Sequence, residues 1–100
     1  MILTIVYDNE VYRKDTGLKA SWGFSCLIET KSDLILFDTG SNGRILLNNM
    51  SLLNIEPKRI NKIVISHEHW DHNGGLKTIA YSVDKATLYR LSKGQPNRNI

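Results

Sequence analysis

Residues 62–76 read Lys62-Ile63-Val64-Ile65-Ser66-His67-Glu68-His69-Trp70-Asp71-His72-Asn73-Gly74-Gly75-Leu76. The opening apolar run is too short for a helix. Its consecutive apolar positions predict a strand covered on both faces. The rest of the stretch holds every histidine in the chain. At a strand end His67 and His69 alternate to the same side, so both imidazoles can reach one ion. Asp71 and His72 follow where the chain bends toward Gly74-Gly75, and adjacent residues in a bend diverge, which suits a second ion close to the first. Imidazole and carboxylate are donors that zinc, manganese and ferrous iron accept. The end of a buried strand is also where α/β layers put their ligands. Glu68 and Trp70 occupy spacer positions directed away from such ions and read as structural. The helical zinc-protease pattern His-Glu-x-x-His does not fit, because residue 71 is Asp.

Working outward, Asp38-Thr39-Gly40-Ser41-Asn42-Gly43 is a glycine-bearing turn. Leu46, Met50 and Leu53 then recur at helical spacing, with Ser41 or Asn42 as the cap and Pro57 as the stop. Before the turn, Phe24–Thr30 and Leu34–Phe37 predict a hairpin across Lys31-Ser32-Asp33, and Ile2–Tyr7 predicts a further strand. The polar stretch 10–21 reads as a loop able to reach over a site. After Gly75, Leu76–Tyr81 predicts a helix and Ala86–Leu91 a strand. Residues 92–100 contain no apolar run and read as a mobile tail, leaving 1–91 as the folded part.

The chain has 100 residues, 41% hydrophobic and 23% charged, values that suit one soluble globular domain and exclude both a multidomain and a disordered reading. No apolar stretch is long enough for a bilayer span, so no membrane partner is expected. The start, MILTIVYDNE, has neither the basic residues nor the cleavage site of a secretory signal, and a cytoplasmic location is expected. The single cysteine, Cys26, excludes an internal disulfide and argues against a thiolate metal site. Residues 51–100 carry eight Lys/Arg against four Asp/Glu. These cations are scattered and lack interleaved aromatics, which predicts a solvated basic face rather than a nucleic-acid surface.

The segment from Ser66 to Leu76 resembles the His-x-His-x-Asp-His signature of the metallo-β-lactamase-fold hydrolases. Leu36-Phe37-Asp38-Thr39-Gly40 resembles the strand and turn that precede it there. The likeness runs from Trp22 to Leu76. Within the superfamily, Trp22–Glu29, the Asp38 turn and Asn48-Asn49-Met50 are similar to the dihydropterin-methyl-ribofuranosyl-aminobenzene phosphate synthase branch. The resemblance implies an α/β fold, the N-terminal half of an αββα sandwich. It implies that His67 and His69 hold one divalent metal and that Asp71 and His72 hold a second. Zinc is the foremost choice, with manganese or iron as alternatives. Asp71 would also orient the attacking metal-bound hydroxide, and Asp38 would buttress the ligand loop from behind.

The family's second half supplies further metal ligands, whereas no histidine follows His72 in this chain. The expected activity is hydrolysis of a phosphate ester or similar small anionic substrate, by a partial domain that offers two ligands per ion where catalytic zinc takes three. One alternative is a non-catalytic module that self-associates through an unpaired sheet face. A nuclease-like relative is the second alternative.

Overall fold

Runs of aliphatic and β-branched residues build one mixed sheet. The computed structural model describes residues 1–10, 16–67, 69–90 and 98–99, the last two by backbone alone. The strands are β1 (Ile2–Tyr7), β2 (Ser25–Glu29), β3 (Leu34–Phe37), β4 (Lys62–Ile65), β5 (Thr87–Arg90) and β6 (Arg98–Asn99), side by side in chain order. The first three pair antiparallel, β2 and β3 through the predicted hairpin. β3 with β4 and β4 with β5 pair in parallel. Parallel neighbours need crossovers, and helices supply them. α1 (Gly43–Leu52) lies between β3 and β4, while α2 (Trp70–Asn73) and α3 (Leu76–Ser82) lie between β4 and β5.

α1 starts where the side chain of Asn42 accepts hydrogen bonds from the backbone N–H groups of Arg44 (2.9 Å) and Ile45 (3.2 Å). That capping is worth about 1 kcal/mol. α1 ends at Leu52, and Pro57, the predicted stop, opens a short 3-10 turn, Pro57–Arg59, beyond it. Leu46 and Met50 of α1 and Ile79 of α3 are completely buried with Leu27, Leu36 and Ile63 of the sheet. Each such side chain contributes roughly 1.5–3 kcal/mol relative to exposure.

The helices cover one face of the sheet. β3, β4 and β5 step across it in one direction, and successive crossovers of one handedness then fall on one side. This corrects the expectation that β4 is covered on both faces: Ile63 and Ile65 are buried, but Val64 is only half-buried. Register places Ile5, Cys26 and Phe37 in a line across the opposite face, with Leu3, Ile28 and Ile35 in a second line. Ile5 is 58% and Leu3 60% exposed. The consecutive apolar pattern of β4 therefore belongs to a sheet apolar on both sides and helix-covered on one.

The predicted loop 10–21 is described from residue 16 onward, and it docks on α1. Asn49, 3% exposed, donates from its amide to the carbonyls of Val6 and Lys19, each at 2.9 Å, and accepts from Lys19 N at 2.9 Å. One buried amide thus ties α1 to the end of β1 and to the strap leading into Trp22. Of the predicted tail, residues 92–97 and 100 lie outside the described residues, as does Leu91. Arg98 and Asn99 pair by backbone with Leu88 and Thr87. Among the described residues no helix is long and apolar enough to cross a membrane.

Candidate functional site

Because β3 and β4 are parallel, their carboxyl ends emerge at the same sheet edge, with Asp38 and Ser66 as the next residues out. Asp38 N donates to Val64 O at 2.8 Å, so the turn is stitched to β4 before it begins. Asp38 adopts φ +60°, a left-handed conformation that Asp tolerates better than most residues, and it is 1% exposed. Its carboxylate is fully engaged. Oδ1 accepts from Ser66 N at 2.7 Å, and Oδ2 accepts from Ser66 Oγ at 2.7 Å. Oδ2 also lies 2.7 Å from His72 Nδ1.

These contacts assign the histidine tautomers. A carboxylate oxygen only accepts, so His72 Nδ1 carries a proton, and in the neutral ring Nε2 keeps its lone pair. Ser66 gives its single hydroxyl proton to Asp38, so the 2.9 Å contact between Ser66 Oγ and His67 Nδ1 has the histidine as donor. His67 Nε2 is then also left bare. Asp38 thereby sets two imidazoles at once, one directly and one through Ser66. Bare Nε2 atoms are the form in which histidine ligates a metal.

The three imidazoles are neighbours. The ring centroids of His67 and His72 are 4.1 Å apart and those of His67 and His69 are 4.7 Å apart. Asp71 Oδ2 is 3.8 Å from His72 Nε2. His67 and His69 are exposed, while Asp71 and His72 are half-buried. The donor types suit a divalent ion. Among the described residues, however, no three His, Cys, Asp or Glu side chains converge as a single-ion site. Burial pushes the Cys26 thiol pKa up. Trp70 is 64% exposed, and Glu68 lies outside the described residues.

Asp71 and His72 sit on a one-turn helix, α2, where the sequence predicted a bend. Thr39 holds it: Thr39 N donates to His72 O at 2.7 Å, Thr39 Oγ1 donates to the same carbonyl at 3.0 Å, and Gly75 N donates to Thr39 Oγ1 at 3.0 Å. On the far side is Gly23, at φ +115°, where an added Cβ would collide with the Asp71 carbonyl oxygen. Sequence reasoning named Asp38 but missed Ser66, Thr39 and Gly23. The available signal was a hydroxyl residue beside each arm of the motif, which becomes meaningful only once the two arms are adjacent.

The sequence profile of the metallo-β-lactamase superfamily matches residues 23–96. The chain belongs to the metallo-β-lactamase superfamily. The 7,8-dihydropterin-6-methyl-4-(β-D-ribofuranosyl)-aminobenzene-5′-phosphate synthase of Methanocaldococcus jannaschii is 48% identical over 67 residues, covering 63% of this chain and 23% of that protein. Ribonuclease Z of Treponema denticola is 46% identical over 52 residues, covering 52% of this chain and 16% of that one. Among solved structures, Tm1679, a metal-dependent hydrolase of the β-lactamase superfamily, superposes with a TM-score of 0.60 at 32% identity, covering 74% of this chain and 25% of that chain. The match thus covers between 16% and 25% of the length of these relatives, a quarter or less of each. Superfamily membership supports a metal-dependent, hydrolase-like fold, and the mixed sheet with its helix layer agrees with it.

Proposed function

We propose that this chain forms the metal-gathering part of a hydrolytic site that acts on a phosphate ester or similar small anionic substrate. The observation that carries the reading is the chain of hydrogen bonds from Asp38 through Ser66 to His67 and directly to His72, which presents both Nε2 atoms bare. His67 and His69 would hold one divalent ion, and Asp71 with His72 a second, with zinc foremost and manganese or iron as alternatives. When bound, such ions lower the pKa of a coordinated water and neutralise a displaced oxyanion. Asp71 is also the group assigned to orient the attacking water, while Asp38 holds the imidazoles rather than touching substrate. The relatives' names favour a phosphate-bearing substrate, since one specifies a ribofuranosyl 5′-phosphate and another is a ribonuclease. Completing each coordination sphere takes donors beyond the four named here.

Metal content of the purified chain, with and without His67→Ala, tests the reading. Near-stoichiometric zinc, manganese or iron that is lost in the variant supports it, and no bound metal at micromolar exposure overturns it. Hydrolysis of a chromogenic phosphodiester by the loaded chain then separates a competent site from one that only binds.

The half-open apolar face favours a second reading, a self-associating module. Apolar side chains in register across three strands, with β1 at the sheet edge, are surfaces that proteins normally cover. Sedimentation of wild type against Ile5→Lys discriminates: a dimer that the substitution dissociates supports this reading, and a monomeric wild type removes it.

A further inference from the structure

α3 turns one face toward β5 and leaves a pocket there. Ile79 of that helix is completely buried in the core, and Thr78 packs so closely on Gly43 of α1 that no Cβ fits between them. Leu76 and Ala80, four positions apart on a helix, lie together on the side that neither contact uses, with Lys77 beside them. β5 supplies the floor. Leu88 pairs in register with Ile63 and Arg90 with Ile65, and Ile63 and Ile65 are buried under the helices, so Leu88 and Arg90 project to the helix side of the sheet. The space between helix and strand, about 370 Å³, is lined by these five residues and by Asn73 of α2. That volume lies at the low end for small-molecule sites.

The lining divides by chemistry. Leu76, Ala80 and Leu88 are apolar, and the short side chain of Ala80 leaves the space unfilled. Lys77 and Arg90 are both cationic, and no carboxylate lines the pocket among the described residues. A lysine stem can follow apolar surface while its ammonium stays in water, and an arginine fork fits the two oxygens of a carboxylate. Apolar walls beside charges of one sign complement a molecule with an apolar body and an anionic head. None of His67, His69, Asp71 and His72 lines the pocket, so the site stands independently of the metal reading.

We propose that this pocket binds a small anionic amphiphile, a medium-chain carboxylate, with its alkyl body against Leu76, Ala80 and Leu88 and its carboxylate at Lys77 and Arg90. Partly exposed cations hold a hydrated anion only weakly, so the head needs the body. The body in turn gains its selectivity from the head. Affinity therefore rises by up to about fourfold for each methylene that the pocket buries, and falls when the charge of the head is removed or reversed. A volume of about 370 Å³ limits the body to a short chain.

The test titrates the whole chain by calorimetry in EDTA, so that no metal competes for the carboxylate. Affinity is expected to climb from butanoate through hexanoate to octanoate, and octanoate is expected to bind about tenfold or more tightly than octan-1-ol or octylammonium. Lys77→Glu is expected to weaken octanoate about tenfold or more, whereas Lys85→Glu, an exposed residue outside the lining, leaves it unchanged. Ala80→Phe fills the space and is expected to abolish binding at an unchanged thermal midpoint; if it unfolds the chain, Lys77→Glu still decides. In methyl NMR the shifts on adding octanoate are expected at Leu76, Ala80 and Leu88. Equal affinity for octanoate, octan-1-ol and octylammonium, equal effects of the two lysine substitutions, or shifts confined to Leu3, Ile5 and Ile28 on the open sheet face overturn the inference. Tighter binding of octyl phosphate than of octanoate overturns the carboxylate assignment.

Discussion

Asp38 Oδ2 lies 2.7 Å from His72 Nδ1, although the two residues are 34 positions apart in the chain. The contact joins the turn after β3 to the helix after β4, and it turns a structural carboxylate into the element that sets the histidine tautomers. Asp38→Asn preserves the shape but places an NH2 where one oxygen accepts. The expected outcome is a change of His72 from the Nδ1–H to the Nε2–H tautomer, read by ¹⁵N NMR, and a loss of metal affinity of about 10–100-fold. Leaving one of the three donors unpaired also lowers stability by about 1–3 kcal/mol. An unchanged His72 tautomer would refute the assignment.

Ser66→Ala separates the direct arm from the relayed one. His67 loses its acceptor and His72 keeps Asp38, so metal affinity is expected to fall about tenfold by chelator competition. Ser66 and His67 are exposed, and the stability cost is expected to stay near 1 kcal/mol. Adding His67→Ala to Ser66→Ala is expected to weaken binding no further than His67→Ala alone, because both changes act on the same imidazole.

Gly23→Ala tests the close approach between the strand entrance and the motif. It forces a side chain into φ +115° and against the Asp71 carbonyl. A loss of about 2–4 kcal/mol is expected. At roughly 4–8 °C per kcal/mol for a chain of this size, the thermal midpoint should fall by about 8 °C or more. A midpoint within a few degrees of wild type would show that the two segments are free to separate.

The hairpin turn contributes a pH dependence of its own. Lys62 Nζ is 2.8 Å from Asp33 Oδ2, and this contact holds the Asp33 carboxyl below its usual pKa and the Lys62 amine above its own. A lowered carboxyl pKa stabilises the fold above the ordinary carboxylate range, and that contribution fades as pH falls through the lowered value. A raised amine pKa stabilises below the ordinary lysine range, and that contribution is lost as pH rises through the raised value. The gap in thermal midpoint between wild type and Asp33→Asn is therefore expected to be widest between these limits and to close toward both extremes. Both side chains are partly exposed, so 0.5 M salt should narrow it.

Much of the architecture was legible because it rests on local chemistry. The Asn42 cap, the Pro57 stop, the short polar connection before Leu34 and the β-branched run of β4 each act within a few residues. The one-turn helix α2 was not legible. Its four residues carry no helical periodicity, and backbone hydrogen bonds from Thr39 and packing against Gly23 hold it. The half-open sheet face was equally hidden, since the apolar run of β4 is the same whether one or two layers cover it.

The sequence by itself determined which metal-capable side chains are gathered together, because the histidines and Asp71 lie in one short loop and need only a strand end to bring them together. The partners of those donors were decided by tertiary structure alone. Pairing β3 with β4 in parallel sets Asp38 beside Ser66 and His72, and the strap leading into β2 sets Gly23 against Asp71. Hydrogen bonds reach about 3 Å, so a carboxylate far away in the chain can orient an imidazole only after the sheet has closed the distance.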